Sequence, residues 1–163
     1  MIFGKSFGEY VAFAKVFLIL IPIAGITRLA LSLIGEPNSS VKWISVTALV
    51  SIGTIYYAIR VHTAGFGSYK QLLAICFLLN LSAQVVIIFG IILAITTGTN
   101  NIFSSPEYAF GGDGKTWFHA GAHVLIGTTA GSLVPWLFGS VVLAITRKVS
   151  APAQVPAGGV RMG

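Results

Sequence analysis

Charge is scarce in this sequence. Charged residues make up 9% of its 163 positions, and only four of them are acidic. An ordinary soluble domain carries about 25% charged residues, so this composition excludes that class. Cysteine occurs once, at Cys76 within an apolar stretch, so no internal disulfide forms and redox compartment cannot be read. There is no internal repeat. No polar stretch in the chain is long enough to form a separate soluble domain, so no catalytic head is expected within these 163 residues.

What is present is apolar. Hydrophobic residues account for 55% of the chain and mean hydropathy is +0.89. Four apolar stretches are separated by short polar connectors, and each matches the roughly 20 helical residues needed to cross a hydrocarbon core of about 30 Å. The expected fold is all-α: a polytopic membrane protein with four transmembrane helices in an up-down bundle. The spans fall at about 10–34, 41–60, 71–97 and 117–146, within a domain covering 1–148. The remainder, 149–163, is rich in Ala, Pro and Gly and reads as a flexible tail. Lys5 and Lys15 precede the first apolar run in the manner of a signal peptide. The run continues through Arg28 to Ile34 without a convincing small-residue cleavage site, so a retained first span fits better. The Gly35-Glu36-Pro37-Asn38 cluster ends this span, and the glycines of Thr63–Ser68 suit a short helical hairpin.

Basic residues cluster at span ends. Lys5, Lys15, Arg60, Lys70, Arg147, Lys148 and Arg161 share one side, against Arg28, Lys42 and Lys115 on the other. Three of the four acids, Glu36, Glu107 and Asp113, fall on the poorer side. This bias predicts cytoplasmic N- and C-termini and an outward-facing 98–116 connector. It also assigns the net charge of +6 to anionic lipid rather than nucleic acid. Arg60, Lys70, Arg147 and Lys148 read as lipid headgroup anchors, and Tyr56, Tyr57 and Tyr69 as an interfacial belt. The outline is that of the small four-span proteins common in bacteria, pointing to a multi-pass protein of the bacterial cytoplasmic membrane. That likeness is one of shape and confers no activity.

Small and polar residues recur at helical spacing. The second span has Thr47, Ser51, Thr54 and Ala58, the third Cys76, Asn80 and Gln84, and the fourth His119, His123, Gly127 and Gly131. In lipid, helices associate through close packing and modest interhelical hydrogen bonds. The stripes therefore predict a compact bundle or a face that docks on another protein. Asn80 and Gln84 form an intramembrane polar stripe expected to bond to neighbouring helices, with Ser51 or Thr54 the expected partners. A polar path or a quinone headgroup site is the other reading.

The sharpest chemical feature is His119-Ala-Gly-Ala-His123. Histidines four apart share one helical face and can hold a metal between them. The set is incomplete as a zinc site, and one helical turn is too short for both axial ligands of one haem. The leading expectation is an interfacial pair bonded to connector carbonyls, with a divalent metal, haem or quinone as alternatives. Arg28 lies inside the outer leaflet, where charge costs about 2.5–3.5 kcal/mol at mid-helix. It is expected either to snorkel outward or to join a polar cluster with Glu107, Asp113 and the two histidines. Gly111-Gly112-Asp113-Gly114-Lys115-Thr116 ends like a phosphate-binding loop, but Ala109 stands where the pattern needs glycine and no strand precedes it. Asn38-Ser39-Ser40 satisfies the glycosylation triplet on the outer side.

No complete catalytic or cofactor signature is present. The expected role is that of a non-catalytic accessory subunit, with the bilayer and other membrane subunits, or further copies of itself, as partners. A redox or metal-binding subunit using His119 and His123 is the alternative, and a channel or transporter is a weaker one.

Overall fold

The structure, a computed structural model, describes residues 1–109 and 111–150. Its elements are α1 (Phe7–Leu33), α2 (Asn38–Val41), α3 (Val46–Thr63), α4 (Tyr69–Thr97), α5 (Trp117–Ala122) and α6 (Thr128–Val149). Two 3₁₀ turns, Ile102–Ser104 and Pro106–Tyr108, lie in the long connector, and a π-helical turn, His123–Gly127, joins α5 to α6. There is no strand among the described residues. Among the described residues four helical stretches are long and apolar enough to cross a membrane: Phe7–Leu33, Asn38–Thr63, Tyr69–Thr97 and Trp117–Val149. The flexible tail expected at 149–163 lies, from 151 onward, outside the described residues.

Local chemistry explains most boundaries. Ser6 and Glu9 form a reciprocal capping box at the start of α1. The Ser68 backbone N–H donates to Gln71 Oε1 at 2.8 Å at the start of α4. Gly98 ends α4 at φ +73°, a left-handed conformation that glycine adopts without steric cost. The second span departs from the sequence reading. A one-turn helix at Asn38–Val41 stops before Lys42, and α3 starts at Val46, where the Ser45 hydroxyl accepts the Ala48 N–H at 3.2 Å. The hydroxyl offers an N-terminal cap inside what hydropathy alone treats as one continuous segment.

The central pair, α3 and α4, is flanked by α1 and α6, each of which packs on both. Contacts between helix ends and the flanking segments tie the bundle together at both ends. At one end, Gln71 donates to the Phe3 carbonyl at 2.7 Å, and His62 Nε2 lies 2.8 Å from the Ser150 carbonyl. At the other, Arg28 reaches Asn38 and Tyr108. The main core runs from Tyr10, Ala14 and Ile21 through Tyr57, Val61, Leu72 and Leu79 to Leu143. Phe13 stacks on Phe66 with centroids 3.9 Å apart, closing the end near the 64–68 turn. A second cluster, Leu29, Val86, Ile91, Ile102, Phe103 and Ala120, seats the long connector on the opposite end.

The seam between α4 and α6 has a regular register. Leu72 on α4 faces Gly139 on α6, Asn80 faces Gly131, and Gln84 faces Gly127. Larger side chains on one helix thus enter notches left by glycines on the other, the close approach that small residues permit.

Candidate functional site

The Asn80–Gly131 and Gln84–Gly127 contacts bring together the polar groups at the middle of the bundle. Asn80 Nδ2 reaches three acceptors on the Trp117–Val149 helical stretch: the carbonyls of Gly127 at 2.9 Å and Thr128 at 3.1 Å, and Ser132 Oγ at 3.2 Å. Gln84 Nε2 points to Asn80 Oδ1 at 3.5 Å, and Gln84 Oε1 lies 2.8 Å from His123 Nδ1. The expected interhelical bonding of Asn80 and Gln84 is present, but its partners lie on this stretch rather than at Ser51 or Thr54. Thr54 instead lies 3.8 Å from Cys76 Sγ. The reason is space: the glycines of α6 admit the amides.

These contacts surround the π turn, where the Thr128 backbone N–H reaches the His123 carbonyl five residues back. Such single-turn π segments locally re-register a helix and recur at functional sites. Here the turn separates two docked halves. On its N-terminal side, Thr116 caps the His119 N–H at 3.1 Å and His119 Nδ1 lies 2.9 Å from the Gly114 carbonyl. Gly114 itself is buried against the Ser104 backbone. On its C-terminal side, Asn80 holds Gly127, Thr128 and Ser132.

The two histidine rings lie with centroids 4.9 Å apart and planes inclined by 58°. His119 is 7% exposed and His123 is half-buried. His119 makes the connector-carbonyl bond expected of an interfacial residue, whereas His123 turns inward to Gln84. Among the described residues no group of three or more His, Cys, Asp and Glu is placed to hold a metal ion.

Arg28 makes its side-chain hydrogen bonds with Asn38 and Tyr108. It is 8% exposed and donates through one terminal nitrogen to Asn38 Oδ1 at 2.7 Å and to Tyr108 Oη at 3.0 Å. Asn38 in turn donates to Glu107 Oε2 at 3.4 Å, so Arg28 and Glu107 meet through an amide. Asp113 accepts the Lys115 backbone N–H at 2.8 Å. A polar hollow of about 520 Å³ at this end is lined by residues including Glu36, Asn38, Asn101, Asp113 and Lys115. Arg60, Lys70, Arg147 and Lys148 are all exposed at the opposite end, with the Arg147 guanidinium 4.9 Å from the centre of the Tyr69 ring.

Beside the amide node, a lateral groove of about 900 Å³ runs between α3, α4 and α6. Its walls are mostly apolar, and its polar groups include Thr47, Ser51, Asn80 and Gln84. Pro135 lies in the wall, and its missing N–H removes the helical hydrogen bond that the Gly131 carbonyl would otherwise accept. Neither histidine lines this groove.

Sequence reasoning did not reach Tyr108, Asn38 or Ser132 as partners. Ser132 carried a usable signal, since it sits beside Gly131, opposite the Asn80 position of a stripe with the same four-residue spacing. No protein-family model matches the chain, and neither does any curated protein or any solved structure.

Proposed function

We propose that the protein is an integral, multi-pass membrane protein that acts as a non-catalytic accessory subunit, packing against a larger membrane complex. Its termini face the cytoplasm, with Arg60, Lys70, Arg147 and Lys148 at the anionic headgroups, and the bacterial inner membrane is its setting. The observation that carries this reading is the groove between α3, α4 and α6. Thr47, Ser51 and Ala130 are exposed on its lining, on helices whose other exposed side chains are mainly Ile, Leu, Val and Phe. Small and hydroxyl side chains on an outer face are what a neighbouring transmembrane helix needs for close approach and hydrogen bonding. The occupant in this reading is a single apolar helix of a partner subunit.

The test is native mass spectrometry of the protein extracted from its own membranes in mild detergent, for the unmodified chain and for Ala130→Trp. Ala130 is exposed on the groove, so the indole fills the groove without entering the core. The expected result is a stoichiometric assembly that Ala130→Trp dissociates while the chain stays folded. A chain without partners, or an assembly indifferent to Ala130→Trp, would contradict the reading.

A further inference from the structure

His119 and His123 have their ring orientations fixed by separate acceptors. His119 Nδ1 is 2.9 Å from the Gly114 carbonyl and His123 Nδ1 is 2.8 Å from Gln84 Oε1. A carbonyl oxygen only accepts, so each ring donates through Nδ1, which in the neutral imidazole leaves the lone pair on Nε2. The Gln84 amide is held in the required sense by its own N–H group, which points to Asn80 Oδ1. Both lone pairs are thereby left on the far side of the rings. His119 Nε2 is buried with no hydrogen-bond partner among the described residues, a position that costs free energy until something donates to it or coordinates there.

The ring geometry says what fits. Two imidazoles bound through nitrogen at about 2.0–2.1 Å to one tetrahedral ion have centroids roughly 5 Å apart, and here the separation is 4.9 Å. Histidines that bind metals characteristically give their other ring N–H to a carbonyl or similar acceptor, which sets the tautomer and aims the ligand atom. Both rings show that arrangement.

We propose that His119 and His123 form a two-histidine site for a divalent late first-row transition ion such as Zn²⁺. The Nε2 atoms are the ligands, and Gly114 and Gln84 are the positioning groups. Imidazole nitrogen favours ions of this class over Mg²⁺ or Ca²⁺, which prefer oxygen. The remaining coordination positions are open to water, and the half-buried His123 gives the ion its entry. The site lies outside the α3–α6 groove and does not depend on partner docking there.

The experiment uses the full chain, stripped with chelator in mild detergent and titrated calorimetrically with Zn²⁺. A parallel sample loaded with one equivalent of Cu²⁺ is read by electron paramagnetic resonance. The expected results are one Zn²⁺ per chain and nitrogen hyperfine coupling from two imidazoles. Saturable binding is expected to be lost in His119→Ala/His123→Ala, weakened about 10–100-fold in Gln84→Met, and unchanged in His62→Gln. Three outcomes overturn the proposal: no saturable Zn²⁺ binding to the unmodified chain, a Cu²⁺ spectrum without two-imidazole coupling, or undiminished binding in the double variant. The Cu²⁺ spectrum of the unmodified chain decides the matter even if a variant fails to fold.

Discussion

Replacing Gly131 by alanine puts a methyl group where the Asn80 amide sits, which makes this one position a measure of the whole α4–α6 seam. The added Cβ would lie 2.7 Å from Asn80 Oδ1 and 2.9 Å from Nδ2, closer than such contacts normally come. The obstructing atoms are the end of a side chain, so Asn80 can move, but only by surrendering its bonds to Gly127, Thr128 and Ser132. Interhelical hydrogen bonds in membranes contribute about 0.6 kcal/mol each, and overpacking costs about 1–3 kcal/mol. Against this, alanine gains roughly 0.5–1 kcal/mol over glycine in a helix interior. The net loss is on the order of 1–2 kcal/mol. Gly121→Ala is the control, because nothing lies within 4 Å of its added Cβ, and it should be neutral or mildly stabilising. Stability is read from unfolding of the detergent-solubilised protein in a titration with sodium dodecyl sulfate, followed by tryptophan fluorescence and circular dichroism. In an Asn80→Ala background the clash disappears, so Gly131→Ala should there cost little or nothing. If Gly131→Ala is as stable as the unmodified chain, or costs the same with and without Asn80, the seam is not packed as described.

Two further perturbations probe other parts of the bundle. Cys76 is fully buried between α3 and α4 and should resist a maleimide in the folded protein, becoming reactive only as tertiary structure is lost. Rapid labelling under native conditions would mean that the α3–α4 interface opens. In Gly114→Ala, the new methyl runs into the Ser104 backbone, which cannot rotate away, so the connector must lift at a cost of about 1–3 kcal/mol. The expected result is faster protease cleavage within 98–116 with helical content retained, and unchanged cleavage would refute this packing.

The four long apolar helices were legible because hydropathy is a one-dimensional signal and Gly, Pro and Asn interrupt it near their ends. Their partners were only half legible. A stripe such as Cys76, Asn80 and Gln84 says which face of a helix is buried, but not which neighbour covers it, and Ser51 and Thr54 were equally well spaced to receive the amides. Side-chain size decides between them. Asn80 and Gln84 need notches, and α6 with the π turn before it offers Gly131 and Gly127 in antiparallel register, with Gly139 continuing the same register against Leu72. The two four-residue stripes were visible in the sequence, and reading them as complementary in volume would have paired the helices. The π turn had no such signal, because no residue in His123-Val-Leu-Ile-Gly127 requires it. It arises where the Trp117–Val149 stretch is docked twice, once through His119 to the connector at Gly114 and once through Gly127, Thr128 and Ser132 to Asn80. A wider turn between two such anchors lets His119 face the connector while His123 faces Gln84. The division of roles between two histidines of one motif is thus a property of the tertiary packing.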